Sequence, residues 1–262
     1  MPFMGHLEVL RWHLIRSMIA VAIVTVVVFV FNDFVFGEII FGPTRTDFIT
    51  FQWLCQLSDI TCIDSLPFKI QSRKVLQQFT THVTSAFVIG IIGAFPYIFW
   101  EVWQFVSPGL HARERNTTRG TIFFVSLLFF IGVTFGYLIV SPLSMSFMAN
   151  YQLFNDPGKS IENIWEINSI ISFITMISLA CGLMFQLPIV IYFLTKVGLV
   201  TPMYLKKYRK HAIVIFLFAS AVLTPPDPIS QVFVSVPLIL LYQLSIFISK
   251  RVYKQYLKKL NA

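Results

Sequence analysis

The chain opens on apolar residues at helical spacing and then loses its polarity altogether. Phe3, Leu7, Leu10 and Leu14 recur at steps of four, three and four, one face of an amphipathic helix. His6, Arg11, His13 and Arg16 surround that face. The pattern predicts an interfacial helix over residues 1–16 that runs into a first apolar span at about Ser17–Phe36. Runs such as Val21–Phe31 and Ile122–Phe130 are apolar on every side, as helices facing lipid or buried in a bundle must be. Further spans are expected at about Val83–Val106, Thr121–Val140, Ser169–Lys196, His211–Leu223 and Ile229–Ser249, followed by a basic tail over 250–262. Pro96 should kink the second span, and Pro188 falls in the second half of the fourth.

This pattern predicts an all-α polytopic membrane protein, one membrane domain over 1–262 with six transmembrane helices. A transmembrane barrel would need segments of ~10 residues alternating in polarity, and none occurs. The first run is as long as a full span and has no small-residue cleavage site behind it, so no cleavable signal peptide is expected. The fifth span is short. Its thirteen residues reach only about 20 Å at ~1.5 Å each, against a hydrocarbon core of ~30 Å. Either neighbouring helices cover this hairpin, closed by Thr224-Pro225-Pro226-Asp227-Pro228, or it thins the bilayer or admits water. The loops Gly37–Thr80 and Ser141–Asn168 contain Pro, Trp and apolar residues and are expected to fold as a cap. No inverted repeat is evident, which speaks against the commonest secondary-transporter plans.

Composition agrees. The 262 residues are 56% apolar and 12% charged, with 28 Phe, whereas soluble domains carry about a quarter charged residues. A soluble enzyme, a disordered chain and a disulfide-built secreted module are excluded. The net charge of +8 reports orientation rather than nucleic-acid binding. Fifteen of the 20 Lys and Arg lie before the first span, between spans two and three, between four and five, or after the sixth. Eight of the 12 acids lie on the opposite side. The positive-inside rule then predicts that both termini are cytoplasmic.

Candidate chemistry is sparse. Three cysteines without a C-x-x-C pair do not make a metal scaffold. Cys55 and Cys62 could close a short disulfide if their loop faces an oxidising compartment, or stay reduced and packed. No nucleophile, metal or phosphate-loop motif occurs, so neither enzyme activity nor a cofactor is expected. His82, His111 and His211 stand alone at span ends as polar anchors. Acids in or near a membrane are functional candidates. Glu101, beside Trp100 and Trp103, is either an interfacial anchor or a functional acid. Asp227 is either a cap on the sixth span or an ion site. With Glu101 it would suit the alternative reading, a secondary transporter of a small solute or ion. Glu114, in His111-Ala112-Arg113-Glu114-Arg115-Asn116, is the lone acid of the predicted cytoplasmic linkers. It could pair internally with Arg113, Arg115 or Arg119, or accept two parallel hydrogen bonds from an incoming guanidinium.

Phe95-Pro96-Tyr97, then Val102-Trp103-Gln104-Phe105-Val106-Ser107-Pro108-Gly109-Leu110 and Arg113-Glu114-Arg115, resemble the TatC family, the signal-peptide receptor subunit of the twin-arginine protein translocase. Other matches follow in order: His6-Leu7 with Leu10-Arg11, Pro43, Gly132 through Tyr137 with Pro142, Phe185, Pro188, Leu223 through Asp227, and Ser230-Gln231. The resemblance implies a six-helix, glove-shaped bundle with short fifth and sixth helices and cytoplasmic termini in a bacterial inner membrane. It implies that Glu114 holds the twin arginines of a folded cargo's signal peptide, that Phe105 lines the adjoining apolar contact, and that Arg11 belongs to the amino-terminal part of the site. His6, Leu110 and Arg115 fall within the same motifs. Pro43, Pro96, Trp103, Tyr137, Gln186 and Asp227 mark the scaffold. Single-helix partners of the TatA/TatB type, self-association in a larger complex and transport driven by the proton-motive force are also implied. The sequence departs from the family at two places. Val9 stands where relatives usually have Glu in H-L-x-E-L-R, with Glu8 one helical step away. Gln186 stands where many have a buried Glu.

Overall fold

The computed structural model describes residues 3–57, 68–106, 118–151, 163–223 and 228–260. Helix α1 (Phe3–Val30) is unbroken, because no Gly or Pro separates the amphipathic start from the apolar run. It passes through α2 (Asn32–Phe34), a π-helical turn over Val35–Ile40 and a 3₁₀ turn over Gly42–Thr44. Helix α3 (Ile49–Leu57) and strand β1 (Phe68–Gln71) lead to α4 (Gln77–Val106). Helix α5 (Thr118–Phe135) continues through a π turn (Gly136–Val140) into α6 (Ser141–Asn150). Strand β2 (Asn163–Glu166) precedes α7 (Ile167–Met184), α8 (Leu187–Lys196), α9 (Pro202–Lys207), α10 (Arg209–Leu223) and α11 (Pro228–Leu260).

Among the described residues five helical stretches are long and apolar enough to cross a membrane: Glu8–Val30, Gln77–Phe105, Gly120–Asn150, Ile167–Lys196 and Gln231–Lys254. The short fifth span of the sequence reading is α10, with 15 residues. The sixth helix is longer than expected: its 33 residues carry on through Pro237 and into the basic tail, where no breaker stops it. The third also outruns its expected end at Val140, because Pro142 sits in the first turn of α6, where its missing N–H is no loss. Pro188 does break the fourth span. Helix α7 ends at Met184, and Pro188 sits in the first turn of α8. Pro96 lies inside an unbroken α4.

Among the described residues two strands supplement the helices. β1 and β2 pair in parallel, Phe68 opposite Asn163 and Gln71 opposite Glu166. Strand β2 runs directly into α7 and β1 reaches α4 through a five-residue turn, and both helices start at the same end of the bundle. The strands must therefore run the same way. Phe68 and Trp165 stack with ring centroids 4.2 Å apart, so the described parts of the two long loops come together as the expected cap.

Helix α1 lies antiparallel along α4: His13 meets Glu101, Val24 approaches Gly93, Thr25 approaches Gly90, and Phe29 stacks on His82 at 4.0 Å. A β-carbon on Gly90 would lie 3.1 Å from the Thr25 backbone nitrogen, so only glycine allows this approach. Gly132 serves α5 and α7 likewise; a β-carbon there would lie 2.7 Å from the Cys181 carbonyl oxygen. Small residues permit such close packing where lipid gives helices no hydrophobic reason to associate. Two apolar clusters fill the interior. One joins Val140, Ile177 and Cys181 to Phe216, Leu238 and Tyr242; the other joins Val28, Val35 and Ile40 to Ala86, Met145 and Ile171.

Candidate functional site

Helix α4 carries Tyr97, Glu101 and Phe105 at four-residue steps, which stacks them on one face. That face meets α1. His13 Nδ1 lies 2.5 Å from Glu101 Oε2, and the Tyr97 hydroxyl donates to Glu101 Oε1 at 2.8 Å. Arg16 is close enough to act on the same carboxylate electrostatically. Glu101 is only 1% exposed. A carboxylate taken out of water persists where partners satisfy both oxygens, and here both are satisfied. The sequence reading left Glu101 open between interfacial anchor and functional acid; the structure shows it buried, with a partner on each oxygen. His13 also approaches Phe105 edge-on, ring centroids 6.3 Å apart, and its carbonyl accepts a bond from the Ser17 hydroxyl at 2.9 Å.

Sequence reasoning missed His13 because it followed the apolar stripe. Leu10 and Leu14 are 41% and 58% exposed and point away from the bundle. The buried face of α1 is Ser17, Val21 and Val28, and His13 continues it one turn earlier. A small-and-polar stripe at steps of about four was the available signal.

The other predicted residues divide. Phe105 is half-buried and Arg11 exposed, and α1 packs along α4, so both stand at the end of one seam. His6 lies in α1, its side chain outside the described residues. Leu110, Glu114, Arg115 and Asp227 lie outside them too. Trp103 is buried on the opposite face of α4, against Phe193 of α8 at 4.8 Å, and acts in packing. Gln186 stands at the break between α7 and α8, where its Nε2 donates to the Val125 carbonyl of α5 at 3.1 Å. Pro43 and Tyr137 belong together at the cap end. Pro43 is buried in the 3₁₀ turn, and the Tyr137 hydroxyl donates to the Ile39 carbonyl at 2.5 Å. Thr50 in turn donates to the Leu138 carbonyl. Each acceptor sits within a π turn, and each donor comes from elsewhere in the chain. Cys55 is disulfide-bonded and Cys181 a free, buried thiol; Cys62, the expected partner of Cys55, lies outside the described residues. No group of three or more potential metal ligands occurs among the described residues.

Near α9, Lys250 of α11 lies beside Lys206 and holds it below the usual lysine value, because the neutral Lys206 amine can accept a hydrogen bond from Lys250 and two ammonium charges would repel. Gly198, with φ of 82°, closes α8, and the Thr201 hydroxyl then caps α9 by accepting the Tyr204 N–H. Basic residues thus gather at the end of the bundle that also carries His13 and Glu101.

Helices of spanning length, glycine-mediated packing and a buried polar seam define a multi-pass helical membrane protein. Residues 5–237 match the family model described as Sec-independent protein translocase protein (TatC). The chain is 40% identical to the Sec-independent protein translocase protein TatC of Blattabacterium sp. subsp. Periplaneta americana over 262 residues, covering 97% of each. It is 35% identical over 216 residues to the TatC protein of Halalkalibacterium halodurans, 82% of this chain and 83% of that one. A crystal structure of the twin arginine translocase receptor TatC in DDM matches with a TM-score of 0.74 at 30% identity, covering 93% of this chain and 99% of that chain. The chain belongs to the TatC family. It is a protein-translocase component rather than an enzyme.

Proposed function

We propose that this protein is the signal-peptide receptor subunit of a twin-arginine translocase, with its site at the shared end of α1 and α4. The observation that carries the reading is the placement of Phe105 on the α4 stripe that meets α1, within a chain matched almost end to end by a twin-arginine translocase receptor. Glu114 supplies the carboxylate for the paired guanidinium groups, by two parallel charge-assisted bonds. Phe105 supplies apolar contact, and Arg11, His6, Leu110 and Arg115 complete the surface. Small single-helix subunits of the TatA/TatB type, and further copies of this chain, would assemble around the bundle. The proton-motive force would then drive the folded cargo across. Nothing in the fold or the relatives favours the solute-transporter alternative.

The membrane is the bacterial inner membrane, with both termini cytoplasmic, as the basic asymmetry of the loops supports. Cys55 is then extracytoplasmic. A membrane-impermeant thiol reagent should label it on intact cells only after reduction; failure to label under those conditions would reverse the topology.

Binding of a fluorescent twin-arginine signal peptide to the solubilised protein tests the site, with a twin-lysine peptide as control. Glu114→Gln removes the charge but keeps the shape, and should weaken binding at least about tenfold, ~1.4 kcal/mol. Phe105→Ala should lose affinity without changing its salt dependence, since it removes contact and no charge. Val9→Glu should strengthen binding by adding an acid to the amino-terminal part of the site. Equal affinity of wild type and Glu114→Gln would reject the assignment.

A further inference from the structure

The middle member of the stripe Tyr97, Glu101, Phe105 has no part in the receptor reading just given. Yet Glu101 is one of the most deeply buried large side chains among the described residues. A buried carboxylate needs partners that hold it, and its partners come from two helices: Tyr97 from α4, His13 from α1. The same imidazole meets the Phe105 ring edge-on. One side chain of α1 therefore touches both the buried carboxylate and the ring assigned to the peptide contact. Arg11 stands two residues before His13 in the same rigid helix, so whatever fixes His13 also fixes where Arg11 leaves the seam. Below this point α1 meets α4 through Val24, Thr25, Gly90, Gly93 and the stacked rings of Phe29 and His82, close contacts of shape that set the helix spacing but give sliding or rotation no directional restraint. Hydrogen bonds with defined direction do resist it.

We infer that His13 and Glu101 are positioning residues for the signal-peptide site. Their contact holds the amino-terminal helix in register with α4 and so sets the geometry between Arg11 and Phe105 that a bound peptide must fit. The inference rests on the receptor reading. Neither residue touches the peptide; both act through the placement of Phe105 and of the amino-terminal helix. Tyr97 holds the second carboxylate oxygen and keeps Glu101 turned toward α1.

The test uses the full-length protein in detergent, the fluorescent twin-arginine peptide and thermal unfolding measured side by side. Glu101→Gln and His13→Asn should each weaken peptide binding about tenfold, and the double variant should be no weaker than either single one, the mark of two groups acting as a unit. His13→Arg, which keeps a donor and a cation within reach of Glu101, should recover most of the affinity. Phe105→Ala should weaken binding clearly in the wild-type background and by less than about twofold in the Glu101→Gln background, because the ring is already misplaced. Should Glu101→Gln fail to fold, His13→Asn against His13→Arg gives the same comparison. A pair that serves stability alone would lower the unfolding temperature yet leave the folded protein's affinity, and the effect of Phe105→Ala, unchanged; that result overturns the inference and leaves the receptor reading standing. Loss of any preference for twin-arginine over twin-lysine peptide in the wild type would overturn the receptor reading, and the inference would fall with it.

Discussion

The two ends of the bundle solve the same problem with different chemistry. At the end where α1 begins, a buried carboxylate is held by an imidazole from another helix, His13 on Glu101. At the cap end, the carbonyls of Ile39 and Leu138, both in π turns, are held by the hydroxyls of Tyr137 and Thr50. A π turn shifts backbone bonding to the fifth residue, as in Phe41 N–H to Phe36 carbonyl, and loosens the ladder around it. Polar backbone that cannot reach water must then be satisfied from elsewhere in the protein. The two π-turn contacts at the cap end involve only neutral groups, so they can be lost one at a time. The seam end involves a charge, so loss of one partner strands the other.

The sharpest way to break that contrast is His13→Leu, which leaves Glu101 buried with Tyr97 alone. It should destabilise the protein by about 3 kcal/mol, the low end for breaking a buried pair, read from denaturant unfolding in mixed micelles. His13→Leu combined with Glu101→Leu should be more stable than His13→Leu alone, since no charge is then stranded. If the single and double variants unfold alike, the carboxylate is not the reason the end is sensitive.

At the cap end, Tyr137→Phe removes one neutral donor and should cost about 1 kcal/mol, measured the same way. A loss as large as that of His13→Leu would erase the distinction between the ends. Gln186→Leu probes a third polar contact, between two spans, where Nε2 reaches the Val125 carbonyl; about 0.6 kcal/mol is expected for a bond of this kind.

The smallest effect is expected at the basic surface. Lys206 is held below the usual lysine value chiefly by its hydrogen bond with Lys250, and then by the repulsion between the two charges. A lysine whose folded-state value is lowered binds fewer protons folded than unfolded as pH rises through that value. Stability should therefore increase slightly as pH rises from the lowered folded-state value toward the usual lysine value, within the alkaline range. Lys206→Gln should remove this increment, and added salt should shrink it. A stability that falls over that range, in wild type but not in Lys206→Gln, would show the two lysines to be attracted through a third group instead.

The amino-acid sequence by itself determined that this is a membrane bundle, because apolar runs of spanning length have no other stable environment. It also placed Pro188 within the fourth span, set the shortness of α10, and carried the family through the motif around Phe105. These are local or composition-driven properties, and a linear pattern holds them. Tertiary structure alone decided which face of α1 is buried. The leucine stripe marks an apolar face without saying what it meets, since in lipid a leucine gains as much facing out as in, and Leu14 faces out. With the hydrophobic signal thus degenerate, small and polar residues set the packing, and a faint small-and-polar stripe through His13 and Ser17 was its trace in α1. The meeting of His13 with Glu101, 88 positions apart, and the parallel pairing of β1 with β2 depend on how helices far apart in the chain lie side by side, which no local spacing encodes.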